Sequence, residues 1–151
     1  MLFRSIFKFN FDGASKGNLG LAGFWGILRN SQGDVLTIYY GSIGWDTNNL
    51  TELEGLWQGL ILSRLYNLSP IIVEGDSQIL INTANQLLQG TRSAKIATSW
   101  RMASRIDNLS KWLDNNQAIS FVHTKREGNK VADLLANMGV ESSDTLKHGP
   151  L

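Results

Sequence analysis

Apolar and polar residues alternate near the start of the chain in the pattern of a β-strand. Phe7, Phe9 and Phe11 occupy every second position, so we expect their side chains on one face of a sheet and polar side chains on the other. Gly13 follows Asp12 and predicts that the strand ends there in a turn. The pattern therefore predicts an aspartate at the end of a strand, which by itself is more typical of a turn than of an active site.

Two more strands and a helix are predicted in the next part of the chain. Aromatic and β-branched residues favour strands over 24–28 and 35–40, and the Asn, Ser and Gly between them favour a turn, which predicts an antiparallel meander with the first strand. Apolar residues at helical spacing predict a helix that opens near Thr47 and ends before Pro70. The glycine-rich segment 13–23 lacks the Lys-Ser/Thr ending of a P-loop, which argues against nucleotide binding.

The second half of the chain is predicted to contain a strand, two helices, a strand and a final helix. Trp100 falls on the apolar stripe of the longer helix of this half, which favours a core residue over a base-stacking platform. We expect one domain over 1–140 and a flexible, polar tail over 141–151. The predicted elements are a strand over 71–76 ending in Asp76, helices over 77–88 and 94–113, a strand over 119–122 followed by His123, and a final helix capped by Asn129.

Two acids, Glu52 and Glu54, fall at the start of the first predicted helix. If Thr51 caps this helix, Glu54 lies three residues further on and completes a capping box, which is a structural role. If Thr47 is the cap, both acids lie within the helix at the edges of its apolar stripe. The spacing alone leaves both alternatives open.

Composition narrows the functions that the chain can have. Its 151 residues fit one domain, and 42% hydrophobic with 18% charged residues is an ordinary globular balance. The chain has no cysteine, which excludes disulfides, thiolate zinc sites and cysteine nucleophiles. The formal net charge is +1, so nucleic-acid binding would depend on local clusters of basic groups. No apolar run approaches the roughly 20 residues that span a bilayer, and we expect a soluble, intracellular monomer.

Acids at the ends of two predicted strands suggest a metal site. The carboxyl ends of parallel strands meet at one edge of a sheet, so Asp12 and Asp76 are expected to lie together if their strands are neighbours. Clustered carboxylates repel one another and stay ionised only when a cation compensates them. With no cysteine and only His123 and His148 available, oxygen ligands dominate, and such ligands suit Mg²⁺ or Mn²⁺. Two such ions about 4 Å apart would activate a water and stabilise the leaving oxygen of a phosphodiester.

Four short motifs carry a resemblance to a known family. They are Phe11-Asp-Gly13, Thr47-Asn-Asn-Leu-Thr-Glu52, Gly75-Asp-Ser-Gln78, and His123 followed by Asn129-Lys-Val-Ala-Asp133. In this order and spacing the sequence resembles the type 1 ribonuclease H family, and in particular the ribonuclease H-like domains of plant retrotransposon-derived proteins. The resemblance runs from about residue 7 to about residue 139. It implies an α/β fold with a five-stranded mixed sheet, in which three antiparallel strands are followed by two parallel strands, flanked by helices.

The resemblance also implies an activity and a set of functional residues. The family hydrolyses the RNA strand of RNA–DNA hybrids as a metal-dependent endonuclease, with two Mg²⁺ ions that Mn²⁺ can replace. His123 matches a histidine that moves protons or helps to release product. The family's metal-binding acids match Asp12, Glu52, Asp76 and Asp133. The polar residues expected to contact the nucleic acid, in part by reading the minor groove of the hybrid, are Asn18, Thr47, Asn48, Asn49 and Gln78.

Two alternatives accompany this hypothesis. The first is a catalytically silent domain that binds nucleic acid, although a silent domain would have little use for clustered carboxylates. The second is a different nuclease on the same fold, such as a resolvase or an exonuclease, because a fold alone does not define a substrate. The Thr-Asn-Asn and Asp-Ser-Gln motifs favour cleavage of a hybrid.

The resemblance breaks at two places. Trp45 stands where many family members have an arginine that helps to hold a phosphate of the DNA strand. The segment 89–94 is too short to be the basic handle that some members carry between the two middle helices. These departures imply weak binding of phosphates, and we expect a companion domain, such as a reverse transcriptase, to help hold the substrate.

Overall fold

The computed structural model of the chain describes residues 6–15, 20–90, 99–115, 118–125 and 147–148. An opening meander of three strands is followed in this part of the chain by three helices and three further strands. The elements are β1 (Phe7–Ser15), β2 (Gly20–Arg29), β3 (Val35–Asp46), α1 (Asn48–Leu65), β4 (Ile71–Gly75), α2 (Gln78–Leu88), α3 (Trp100–Asp114), β5 (Ile119–His123) and β6 (Lys147–His148).

The strands form one mixed sheet with the order β5-β4-β1-β2-β3-β6. β2 pairs antiparallel with both β1 and β3, whereas β4 pairs parallel with both β1 and β5. The predicted fold class, with three antiparallel strands followed by two parallel strands, is confirmed. The final helix predicted after Asn129 lies outside the described residues.

A sixth strand extends the sheet beyond the predicted five. Lys147 and His148 pair antiparallel with Tyr40 and Tyr39 of β3. These two residues belong to the tail that was expected to be loose. A two-residue strand has no period that a sequence pattern could reveal, so its partner on β3 is visible only in the structure.

The main core lies between the sheet and the three helices. Phe9 and Phe11 are buried in it, as the alternation along β1 predicts. Leu53, Leu56 and Leu60 of α1 are fully buried against the same cluster. Among the described residues, no helix is long and apolar enough to cross a membrane.

Two glycines bring α1 close to β1. A Cβ atom on Gly13 would lie 2.7 Å from the backbone carbon of Thr51, and one on Gly55 would lie 2.8 Å from the carbonyl oxygen of Asp12. Such contacts are too short for a real side chain. The prediction that Gly13 ends the strand is wrong, because β1 continues to Ser15. Gly13 instead creates the space that α1 needs to pack against β1.

The start of α3 also differs from the prediction. The helix begins at Trp100, six residues later than predicted, with Ser99 as its N-cap. Trp100 is 80% exposed, so the prediction of a core residue is wrong. The buried stripe includes Met102 and Leu109, and at about 100° per residue Trp100 lies roughly 180° around the helix from Leu109. The prediction failed because Trp100 was assigned to the buried side of α3, whereas it lies on the exposed side.

Candidate active site

Three carboxylates converge at the edge of the sheet where β1 and β4 carry their carboxyl ends. One oxygen from each of Asp12, Glu52 and Asp76 lies within 4.8 Å of the other two. Asp12 is 3% exposed, whereas Glu52 and Asp76 are half-buried. The cluster therefore has one buried acid, Asp12, and two acids that are partly accessible to solvent.

The two aspartates reach this cluster from neighbouring parallel strands. The pairing of β1 with β4 ends at Asn10 and Glu74, and both strands then run on to their acids. Asp12 Oδ1 accepts a hydrogen bond of 2.8 Å from the backbone N–H of Gly13, which orients this carboxylate. Asp76 follows directly after β4. The carboxyl ends of the strands thus bring the two acids together, as expected for neighbouring strands.

Glu52 comes to the cluster from the second turn of α1. Thr47 is the N-cap of this helix, and its Oγ1 accepts a hydrogen bond of 3.4 Å from the backbone N–H of Leu50. Thr51 is buried inside the helix and donates its hydroxyl to the Thr47 carbonyl at 2.7 Å. This geometry excludes Thr51 as the cap and with it the capping box that would have involved Glu54.

Glu54 joins α1 to α3. Its carboxylate accepts two hydrogen bonds from Arg105, of 2.8 Å from Nε and 3.0 Å from Nη2, and a third of 2.8 Å from Gln58 Nε2. The guanidinium also lies 5.4 Å from the ring centre of Trp57. Glu54 is only 8% exposed. Its charge is thus satisfied by a guanidinium within the fold.

His123 stands beside the acidic cluster. It is the last residue of β5, and its exposed ring places Nε2 at 3.2 Å from the carbonyl oxygen of Asp76. The next residue, Thr124, donates its backbone N–H to the carbonyl of Gly75 at 2.9 Å. The sequence predicted a strand over 119–122 followed by His123, and in the structure this strand includes His123 itself, which pairs with Gly75 of β4.

The predicted nucleic-acid contacts lie at the starts of two helices. Asn48 and Asn49 form the first turn of α1 after the Thr47 cap, and Asn49 is exposed. Asn48 Oδ1 accepts a hydrogen bond of 2.8 Å from the backbone N–H of Ser15, so Asn48 also links α1 to β1. Gln78 is exposed at the start of α2. Asp133 and Asn18, the other predicted site residues, lie outside the described residues.

A second polar network, which sequence reasoning missed, connects the end of β3 to this region. Asp46 Oδ1 accepts a hydrogen bond of 2.8 Å from the backbone N–H of Thr47, and its carbonyl accepts one of 2.5 Å from Ser15 Oγ. Its Oδ2 forms an ion pair with Arg101 Nη1 at 2.5 Å. An acid next to a helix cap is a visible signal in the sequence. Its partner on α3 is 55 residues away, and no local pattern reveals it.

The donor set of the cluster fits a hard divalent cation. Three carboxylates this close repel one another, and a bound cation would offset that repulsion. All three donors are oxygens, which suit Mg²⁺ and Mn²⁺ better than the softer nitrogen- or sulfur-preferring metals. The site thus has the ligand chemistry of a centre for a hard divalent cation.

Comparisons with known proteins agree with this arrangement. A family model described as reverse transcriptase-like matches residues 10–139. The ribonuclease H of Herminiimonas arsenicoxydans is 33% identical over 142 residues, which cover 87% of this chain and 92% of that protein. An Arabidopsis thaliana protein provisionally named a ribonuclease H protein is 30% identical over 130 residues. That match covers 86% of this chain but only 20% of the Arabidopsis protein.

A solved structure shares the fold as well as part of the sequence. LC11-RNase H1, isolated from compost by a metagenomic approach, has been solved in complex with an RNA/DNA hybrid. It is 26% identical, with a TM-score of 0.68, and the match covers 89% of this chain and 96% of that one. Together, the family model and the bacterial relative show that the chain belongs to the ribonuclease H family of hydrolases, within the group described as reverse transcriptase-like.

Proposed function

We propose that this domain hydrolyses the RNA strand of RNA–DNA hybrids as an endonuclease that uses two divalent cations. The observation that carries the proposal is the convergence of Asp12, Glu52 and Asp76 within 4.8 Å at the carboxyl ends of β1 and β4. Asp133 is proposed as the fourth acid from its place in the sequence. Membership of the ribonuclease H family supports the reaction class.

The buried acid and the two half-buried acids would bind the cations in different ways. When bound, two Mg²⁺ ions, or Mn²⁺ in their place, supply activation of a water and stabilisation of the leaving oxygen. Asp12 is buried and oriented by the Gly13 N–H, so it offers a ligand atom whose position is set before substrate arrives. Glu52 and Asp76 are half-buried, so their carboxylates would hold cations at the open side of the cluster, where a phosphodiester can approach.

His123 is placed to hold or move a proton at the edge of the cluster. The Asp76 carbonyl can only accept a hydrogen bond, so Nε2 carries a proton whenever the 3.2 Å contact is formed. In the neutral ring Nδ1 is then the acceptor. We propose that this exposed ring transfers protons during the reaction or during product release.

The exposed amides near the acids suit an RNA strand. Asn49 and Gln78 lie at the starts of α1 and α2, at the end of the sheet where the acids converge. Short amide side chains can bond to the 2′-hydroxyl groups that distinguish RNA from DNA. The structure of LC11-RNase H1 with a hybrid shows that a relative with this fold binds such a substrate.

A companion domain is part of the proposal. The match covers 20% of the Arabidopsis relative, so similar domains occur inside much longer chains. We propose that a neighbouring domain, such as a reverse transcriptase, helps to hold the hybrid.

The proposed reaction is tested by incubating the domain with three labelled substrates: an RNA–DNA hybrid, duplex DNA and duplex RNA. We expect internal cuts in the RNA strand of the hybrid with Mg²⁺ or Mn²⁺, and none after chelation. The variant Glu52→Gln, which keeps the shape of the side chain but removes its charge, serves as the inactive control. Equal cutting of all three substrates would overturn the assignment of the substrate, and no cutting of any would favour a silent domain.

A further inference from the structure

Asp46 lies where β3 ends and α1 begins, immediately before the Thr47 cap. Its carboxylate accepts a hydrogen bond of 2.8 Å from the backbone N–H of Thr47 and forms an ion pair with the guanidinium of Arg101. Its backbone carbonyl accepts a hydrogen bond of 2.5 Å from the hydroxyl of Ser15, the last residue of β1. Asp46 thus joins the start of α1 to β1 and, through Arg101, to α3.

Ser15 makes a second contact at the same junction. Its backbone N–H donates a hydrogen bond of 2.8 Å to Asn48 Oδ1, so Ser15 contacts the residues on both sides of the Thr47 cap. Asp12 lies three residues before Ser15 on β1, and Glu52 lies five residues after the cap on α1. Either separation is about 10 Å or less along its element. The junction therefore fixes β1 and α1 to each other close to an acid that each of them carries.

The carboxylate of Asp46 is held in place by a charge-assisted contact. Only 16% of its side chain is exposed, whereas the side chain of Arg101 is 43% exposed. Removing the guanidinium would leave a mostly buried charge without its ion pair, which favours a shift of that carboxylate towards water. Such a shift would weaken the hydrogen bond to the Thr47 N–H. Arg101 thus contributes to the start of α1 from a helix that carries none of the three clustered acids.

A second ion pair between α3 and α1 provides a comparison. Arg105 lies one turn beyond Arg101 on α3 and pairs with Glu54. At about 100° per residue, Glu54 leaves α1 on the side opposite Glu52. In the described part of the chain, Asp46 also connects to β1, whereas Glu54 bonds only within α1 and to α3. The two ion pairs join the same helices, but one of them also connects α1 to the strand that carries an acid of the cluster.

We infer that Asp46 is a positioning residue for Glu52, and that Arg101 acts through it. Together with Ser15, this pair fixes the start of α1 on β1, so that one oxygen of Glu52 lies within 4.8 Å of an oxygen of each aspartate in the cluster. A misplacement of about 1 Å in an active site can cost about 10²-fold in rate. The expected effect on cleavage rests on the proposed function, whereas the expected effect on cation binding rests on the acidic cluster alone.

Arg101→Met and Asp46→Asn test this inference, because they change the charge near the cluster in opposite directions. A purely electrostatic effect would make Arg101→Met bind Mn²⁺ more tightly and Asp46→Asn bind it more weakly. Loss of positioning should instead weaken Mn²⁺ binding, measured by calorimetry on the full chain, by about tenfold in both variants. It should lower kcat for a labelled hybrid by a similar factor. The double variant should be no worse than either single variant, because both substitutions break one contact.

Three further variants separate positioning from a general loss of stability. Glu54→Gln breaks the other ion pair between the same helices, so its Mn²⁺ affinity and kcat should be nearly unchanged while its stability falls. Arg101→Lys keeps the charge beside Asp46 and should retain most of the Mn²⁺ affinity. Ser15→Ala removes one hydroxyl from the junction and should weaken Mn²⁺ binding by a smaller factor in the same direction. Denaturant unfolding identifies the conditions under which every variant is folded.

The outcomes distinguish this inference from the proposed function. Opposite shifts of Mn²⁺ affinity in Arg101→Met and Asp46→Asn would overturn the positioning role, as would wild-type affinity and kcat in both. Wild type that binds Mn²⁺ without cutting the hybrid, together with weaker binding in both variants, would refute the proposed function and support the positioning role. Wild type that does not bind Mn²⁺ would overturn both.

Discussion

Glu52 and Glu54 lie two residues apart on α1 and face opposite electrostatic surroundings. At about 100° per residue their side chains leave the helix on opposite sides. Glu52 meets the carboxylates of Asp12 and Asp76, which carry its own charge. Glu54 meets the guanidinium of Arg105 in a two-fold hydrogen-bonded ion pair. One helix thus places Glu52 in a cluster of like charges and Glu54 in an ion pair with Arg105 of α3.

This difference separates function from stability. A cluster of like charges destabilises the fold until a cation binds, so its residues contribute to the reaction at some cost in stability. An acid paired with a guanidinium inside the protein contributes to stability, because removing one partner leaves the other charge partly buried and unpaired. Substitutions at the two glutamates are therefore expected to have opposite effects on activity and on stability.

The largest expected effect is a loss of activity on substitution of an acid in the Asp12–Glu52–Asp76 cluster. Asp76→Asn and Glu52→Gln keep the side-chain shape and remove one of the charges that we propose hold the cations. We expect the rate of hybrid cleavage to fall by about 10³-fold or more, at the upper end of the effect of a catalytic group. The free energy of unfolding without Mg²⁺ should stay the same or rise, because one repulsive charge is gone.

Cleavage assays and denaturant unfolding of the same samples measure both quantities. Activity of Asp76→Asn within tenfold of wild type would contradict the role of this acid. A large loss of stability would show that the cluster is needed for folding rather than for the reaction.

A smaller loss of activity is expected at His123, which lies at the edge of the same cluster. His123→Ala removes a group that can transfer a proton, and we expect turnover to slow by about 10²-fold without being abolished. Affinity for Mg²⁺, measured by calorimetry, should be nearly unchanged. A loss of metal binding in this variant would identify His123 as a ligand instead.

The two aspartates that converge, Asp12 and Asp76, were predictable because each depends on local sequence. Gly75 precedes Asp76, and a Cβ atom on it would lie only 2.6 Å from the ring of Phe11, so a larger residue would not fit there. Gly13 follows Asp12, and a Cβ atom on it would collide with the backbone of α1. Such small residues next to an acid are visible in one short motif. Asp133, which lies in one of the four motifs, and Asn18, which only the family resemblance implies, stay predictions because both lie outside the described residues.

Features that depend on distant partners were not predictable. The roles of Glu52 and Glu54 could not be separated by spacing, because the decisive partner of Glu54 lies 51 residues away on α3. The exposure of Trp100 was missed for a related reason. Which side of α3 is buried depends on how the helix packs against α1 and α2, and an apolar residue at its first position can fall on either side.

The next largest effect is expected on stability, at Glu54, which is ion-paired with Arg105. Glu54→Gln should lower the free energy of unfolding by about 2 kcal/mol, because Arg105 loses a charged acceptor in a mostly buried contact. Hybrid cleavage under conditions where the protein is folded should stay within about threefold of wild type, since this residue touches neither cations nor substrate. Denaturant unfolding and cleavage assays provide the two numbers.

Arg105→Lys is the matched variant from the other side of the contact. Lysine keeps the charge but loses the two-fold geometry, and we expect a smaller loss of about 1 kcal/mol. A collapse of cleavage in Glu54→Gln equal to that in Glu52→Gln would contradict the separation of the two glutamates.

The smallest expected effect concerns the support beneath α1. Tyr39 of β3 is fully buried, and its hydroxyl donates a hydrogen bond of 2.6 Å to the carbonyl of Gly55 in α1. Burial raises the pKa of the Tyr39 hydroxyl well above its ordinary value. Tyr39→Phe should lower the free energy of unfolding by about 1 kcal/mol at pH about 8, because a buried hydrogen bond is lost.

The dependence on pH identifies the hydroxyl as the cause. In the unfolded chain Tyr39 ionises near pH 10, whereas in the folded protein it stays neutral, so its contribution to stability is complete below about pH 10 and is lost as the pH rises towards the raised pKa. The free energy of unfolding of wild type should therefore fall more steeply than that of Tyr39→Phe between pH about 10 and about 11, by about 1 kcal/mol over this range, with a slope that approaches about 1.4 kcal/mol per pH unit. Denaturant unfolding of both proteins across this range measures the two slopes. Parallel curves would show that the hydroxyl of Tyr39 is not the group that titrates, and curves that also coincide would show that its hydrogen bond to Gly55 does not stabilise the fold.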